Sequence, residues 1–264
     1  MPDLPAVSQF TALLTELRFP AAAAVALIAG VVRGFSGFGS ALIYMPLIAS
    51  IYDPRTAAVT IILIDLVSSA PFTVPELRRC IWNEVMTIWT VSLIGIPLGV
   101  WALLVLDPVT LRWFIAAFVL SALAVLVLGW RYRKAPGFTF TAAVGLASGF
   151  GGGAVGIAAP PVIIYWLSRN VGAVTMRANM MVYLALMDIT VIALYSYKGL
   201  FDVRMAALSI LLGLPFIAGV AAGTLWFKGT SDLVYRRAAY LIIALAALVS
   251  LPVLDPLLQR SAAP

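Results

Sequence analysis

The sequence predicts an all-α integral membrane protein of about eight hydrophobic helical segments in two homologous four-segment halves, the first segment of each half broken by a glycine-rich stretch. Composition, the continuity of the apolar runs and an internal duplication predict it. The 264 residues are 63% hydrophobic and 11% charged. A soluble domain runs roughly 45–50% apolar and about 25% charged, so one core cannot bury this much apolar surface. Disorder needs the opposite composition. There is no His, which excludes the HExxH zinc site, the Ser-His-Asp triad, His-ligated haem and His proton relays. Cys80 is the one cysteine, so no intramolecular disulfide or CxxC site forms. No catalytic set, metal site or cofactor motif is expected, and no Walker A loop points to ATP. The net charge of +6 is scattered singly or in twos and threes. Nothing in it resembles the basic stripe of a nucleic-acid binder.

A spanning helix needs about 20 mainly apolar residues. Residues 1–18 form an N-terminal tail or a short interfacial helix over Ser8–Arg18, with Phe10, Leu13, Leu14 and Leu17 facing lipid. Asp3, Glu16 and Arg18 make a poor positive region, so no signal peptide is expected there. The first half, residues 19–134, holds Ala21–Ile51, Thr56–Pro75, Val85–Leu106 and Val109–Trp130. The second, residues 138–256, holds Phe138–Ser168, Ala178–Tyr197, Met205–Phe227 and Ala238–Leu254. A C-terminal tail takes 257–264. The linkers, such as Asp107-Pro108 and Lys198-Gly199, are too short for a soluble domain. The segments are too long and too continuously apolar for barrel strands, which leaves helices as the spanning form.

The duplication is the strongest feature. Gly30–Pro46 reappears 115 residues later as Gly145–Pro161. Gly34-Phe35 then meets Gly149-Phe150, Gly37 meets Gly152 and Pro46 meets Pro161. Arg55 corresponds to Arg177, Asp65 to Asp188, and Gly95-Ile-Pro97 to Gly213-Leu-Pro215. Duplicated halves with broken segments at matching positions are the pattern of secondary transporters, whose site lies at the repeat interface. Each Gly costs a helix interior about 1 kcal/mol relative to Ala. Gly34, Gly37 and Gly39, and above all Gly151-Gly152-Gly153, are therefore expected to interrupt their helices. The half-helices left behind would turn unpaired N–H groups and a positive dipole end toward a cavity, which favours an anion. The competing reading is that these glycines serve close helix packing. Two topologies fit: each broken segment spans once and the halves are parallel, or each re-enters as a hairpin and the halves are inverted. The linker Lys and Arg residues lean slightly to the second.

The stretches GFSGFGSALIYMP (34–46) and GFGGGAVGIAAPP (149–161) resemble the paired glycine-rich signatures of the sulfite exporter TauE/SafE family, also called TSUP. The second is a close match. The first departs with Phe38 where its partner has Gly153. The resemblance covers nearly the whole chain in size, segment number and motif position. It implies a carrier of sulfite, sulfonates or other organosulfur and small organic anions in a bacterial inner membrane, without naming the anion.

Charged side chains at mid-membrane are costly and are functional candidates by default. Arg55 and Arg177 open the second segment of each half, and a guanidinium can hold two oxygens of a sulfonate or sulfite at once. Interfacial snorkelling explains them equally well. The candidate substrate site comprises Gly34, Ser36, Gly37, Gly39, Ser40, Arg55, Gly149, Gly151, Gly152, Gly153, Arg177 and Asn179. Asp65 and Asp188 are candidates for coupling a proton or other ion, Asp188 the better of the two; packing is their alternative role. Arg33 lies inside the first broken segment and either reaches the cavity or snorkels. Trp82, Trp101, Trp130, Trp166 and Trp226 near segment ends read as the aromatic belt.

These residues favour a secondary carrier of a small anion working by alternating access. The partners expected are the anion, a coupled proton or ion and the lipid bilayer. A channel or a membrane assembly factor is the alternative. The two Asp residues alone support an intramembrane enzyme acting on a lipid.

Overall fold

The computed structural model describes residues 5–36, 38–128, 137–169 and 171–226. The fourth segment expected in the second half, Ala238–Leu254, and Gly37 lie outside the described residues. Among those described, every regular element is a helix. They run α1 (Pro5–Thr15), α2 (Phe19–Ser36), α3 (Ser40–Ile51), α4 (Pro54–Glu76), α5 (Trp82–Val105), α6 (Pro108–Leu128), α7 (Phe138–Val155), α8 (Ala159–Ser168), α9 (Ala173–Tyr197) and α10 (Val203–Trp226). Five of them, α4, α5, α7, α9 and α10, are long and apolar enough to cross a membrane.

Short polar caps set the starts of α4 and α6. Asp53 accepts from the Thr56 amide at 2.9 Å and the Thr56 hydroxyl at 2.6 Å, and Pro54 follows at the first helical position. Asp107 does the same for α6 through Thr110. The expected segments Ala21–Ile51 and Phe138–Ser168 are each two helices joined by a turn. In the first, α2 stops at Ser36 and Gly39 takes a φ of 90° before α3. In the second, Gly156 takes a φ of 67°, and the Ile157 amide reaches back to the Gly151 carbonyl at 3.1 Å.

Both pairs double back. The Arg18 guanidinium just before α2 donates to the Ile51 carbonyl at the end of α3 at 3.3 Å and lies over the Tyr52 ring. The start of α2 and the end of α3 are therefore side by side. At the second pair, Phe140 near the start of α7 stacks on Tyr165 late in α8, with centroids 6.3 Å apart. Arg169, which caps α8, is 2.6 Å from Glu84 in the first turn of α5. The α2–α3 hairpin is rooted at the Tyr52–Asp53 end of α4, and the α7–α8 hairpin beside the start of α5. Those two places are the opposite ends of α4, whose 23 residues span about 35 Å. The hairpins thus enter the bundle from opposite ends, each turning back on itself.

Close helix contacts hold this arrangement. Gly145 faces Ile88 and Val91, Gly149 faces Ser92, and Gly153 faces Ile96, so α5 and α7 run parallel with their backbones nearly touching. Gly30 faces Phe216 and Gly34 faces Val220 in the same way along α2 and α10. A Cβ at Gly34, Gly149 or Gly153 would fall on a neighbouring carbonyl oxygen.

These contacts correct one expectation. Gly151, Gly152 and Gly153 do not interrupt their helix; they lie inside α7, which ends at Val155. Each is small for its own neighbour: Gly151 for Ile157 and Phe118, Gly152 for the Met187 methyl, which a Cβ there would meet at 2.6 Å, and Gly153 for Ile96. Packing offsets the weak helix propensity, as small residues commonly do between membrane helices. Gly34 is likewise helical, within α2. Trp166 is also not part of a lipid-facing belt. It is fully buried and its indole donates to Glu84 at 3.0 Å. Trp82 and Trp101 are exposed, as expected of that belt.

Candidate functional site

The tips of the two hairpins meet. Gly39, Ser40, Ala41 and Leu42 from the first, and Gly156, Ile157, Ala158 and Ala159 from the second, line one cavity with Gly152, α4 and α9. Its volume is about 40 Å³, room for roughly two or three waters. Arg33, Asp65 and Asp188 bring charge to it.

Each tip is fastened by polar side chains. The Ser40 hydroxyl donates to Asp65 Oδ1 at 3.3 Å, and the Tyr44 hydroxyl to Thr60 at 2.9 Å, tying α3 to α4. On the other side, the Ser148 hydroxyl donates to the Ala158 carbonyl at 2.6 Å and accepts from the Tyr183 hydroxyl at 2.7 Å. Tyr183 also shares a hydrogen bond with Ser92. The Tyr195 hydroxyl donates to the Gly153 carbonyl at 2.9 Å. Backbone polar groups freed at mid-bundle are expensive, and this network satisfies part of them.

The charged groups are arranged unequally. Arg33 Nη2 lies 2.8 Å from Asp65 Oδ2 and 2.8 Å from the Ser69 hydroxyl, with Nε 3.1 Å from the same hydroxyl. Arg33 and Asp65 are 5% and 8% exposed, so this ion pair is buried. Asp188 Oδ2 is buried with no hydrogen-bond partner among the described residues. The amide supply is lopsided too. The N-terminus of α3 presents Ser40 and Ala41, whereas two of the first three residues of α8 are Pro160 and Pro161, which have no N–H to offer.

The structure therefore brings Gly39, Ser40, Gly152, Asp65 and Asp188 together at one cavity. Gly34 and Arg177 line a second, smaller one with Arg33, Ser69, Phe72, Met181 and Val220. Gly149, Gly151 and Gly153 face helix neighbours. Arg55 is exposed at the start of α4, away from both cavities. Asn179 is buried, and its Oδ1 accepts from the Ile81 amide at 2.7 Å, which holds the turn before α5. Ser36 is the last residue of α2. Sequence reasoning left Arg33 undecided, although it is the one charged residue of its segment. The Ser148–Tyr183 link carries no local signal at all.

The family model described as Sulfite exporter TauE/SafE matches residues 22–250. No curated protein and no solved structure matches the chain.

Proposed function

Because the chain belongs to the sulfite exporter TauE/SafE family, we propose that it is a secondary carrier of a small anion, sulfite or a sulfonate or another organosulfur or organic anion, in the bacterial inner membrane. It is a multi-pass membrane protein. The observation that carries the proposal is the meeting of two hairpin tips, entering from opposite ends, around a buried cavity that holds an arginine. A site reached by two elements rooted at opposite faces suits alternating access.

In this reading the chain is two inverted halves, 19–134 and 138–256, flanked by an N-terminal element and a C-terminal tail. Each half is a hairpin followed by three crossings. The parallel pairs α2–α10 and α5–α7 support it, because each joins a helix of one half to a helix of the other. Gly39, Ser40 and Gly152 contact the anion, and Asp65 and Asp188 serve the coupled proton or ion. Gly34, Gly149, Gly151 and Gly153 give the tips their close approach, and Asn179 positions the turn behind the second. Arg177, at the second cavity, and Arg55, exposed at the far end of α4, draw anions in from the two faces.

Reconstitution into liposomes tests the proposal. Sulfite or a sulfonate should cross in a protein-dependent, saturable manner with counterflow. Absence of flux for every anion tried, or unitary currents in a planar bilayer, would count against a carrier.

A further inference from the structure

Among the described residues that line the central cavity, Arg33 is the one cation. The geometry points to it as the ligand of the anion, with Asp65 occupying the anion's place until substrate displaces it; this rests on the carrier reading above. A carboxylate oxygen on a guanidinium stands where an oxygen of a sulfonate or sulfite would bind. Asp65 Oδ2 holds that position at 2.8 Å from Nη2. Its other oxygen has the longer bond from Ser40, 3.3 Å, at the very tip of the first hairpin. Ser69 keeps Arg33 oriented through both Nε and Nη2, so the guanidinium stays in place when its carboxylate leaves.

Access follows from the second cavity. Arg33 lines it as well, with Gly34, Ser69 and the exposed Arg177. An anion collected at Arg177 thus meets Arg33 before the central cavity, and Arg33 is common to both spaces.

Charge balance then couples a proton to the anion. The charged groups sharing the central cavity with Asp65 are Arg33 from α2 and Asp188 from α9, while Arg177 shares the second cavity with Arg33; Tyr44 from α3 is engaged with Thr60. The lining residues from α7 and α10, Gly152 and Val220, carry no ionisable group. The Asp65 carboxylate already pairs with the Arg33 guanidinium, so an anion added beside them would leave a negative charge uncompensated in a poorly screened interior, which is strongly unfavourable. Asp65 therefore leaves Arg33 as it takes a proton from the bulk solvent, relayed through cavity water, and the anion's oxygens take its position. No bond of the substrate breaks.

The test uses the full-length protein in detergent and methanesulfonate, whose charge is constant over the pH range scanned. Calorimetric binding in buffers of different ionisation enthalpy should show proton uptake on binding, and the Kd should weaken as pH rises. Asp65→Asn should bind about tenfold tighter with a flattened pH profile. Arg33→Gln should bind at least about tenfold weaker, and the double variant as weakly as Arg33→Gln. A purely structural ion pair gives the opposite pattern: both single variants lose binding and the double variant recovers it. That pattern, or binding to the unaltered protein without proton uptake, overturns this proposal and leaves the carrier standing. No binding or flux of sulfite or methanesulfonate by the unaltered protein overturns the carrier reading itself.

Discussion

At the residue scale, surroundings decide what an acidic side chain does. Asp107 is exposed in the turn before α6. There the Thr110 hydroxyl at 2.6 Å and amide at 3.0 Å hold its carboxyl below the usual carboxylate range, with the Val109 amide adding to them. A carboxyl whose folded pKa is lowered stabilises the fold above the unfolded value, about pH 4, and loses that contribution as pH falls through the lowered value. The gap in melting temperature between the parent and Asp107→Ala should therefore be full at neutral pH and close on acidification. A gap that stays constant with pH would show that the cap works without its charge. Asp65 and Asp188 have no such surroundings. One is paired with Arg33 and the other has an oxygen with no partner among the described residues, and that contrast separates their proposed roles.

At the element scale, the same residue type has two uses. Glycines at Gly39 and Gly156 adopt positive φ and turn the hairpins. Glycines along α2, α5, α7 and α10 let backbones touch. Propensity alone favours Ala over Gly in a helix by about 1 kcal/mol. Among the described residues, nothing lies within 4 Å of where a Cβ would sit at Gly213 in α10, whereas at Gly149 it would strike the Ser92 carbonyl. Gly213→Ala should leave the melting temperature in detergent unchanged or raised, and Gly149→Ala should lower it. Equal responses at the two positions would mean that the α5–α7 contact contributes little to stability.

At the scale of the whole molecule, the opposed entry of the hairpins has a topological consequence. Arg55 follows the first hairpin at one end of α4, and Gly172 follows the second near the start of α9. With Cys80 replaced by Ser, a membrane-impermeant maleimide should label Arg55→Cys and Gly172→Cys from opposite faces in oriented vesicles. Cys80 itself, in the turn before α5, should label from the Gly172 side. Labelling of Arg55→Cys and Gly172→Cys from one face would mean that a hairpin crosses instead of turning back. Length gives no guidance on this point, because α7 is long enough to span.

Much of this was legible without coordinates. An apolar run reports its membrane character locally, so the bounds of α4, α5 and α10 lie within a few residues of those read from composition. The glycine signatures identified the family, and the cost of charge in hydrocarbon singled out Asp65 and Asp188, which meet at the cavity. Other features were settled by contacts between residues far apart in the chain. Gly151–Gly153 remain helical because Ile96, Met187 and Ile157 leave no room for side chains there. Arg33 rather than Arg55 reaches the centre because α2 stops beside Asp65 and Ser69. The chain turns back at Gly156 and returns Tyr165 to Phe140. Composition is a property of neighbours in sequence, and the place of a charge or a turn is a property of neighbours in space; only the folded molecule contains the second.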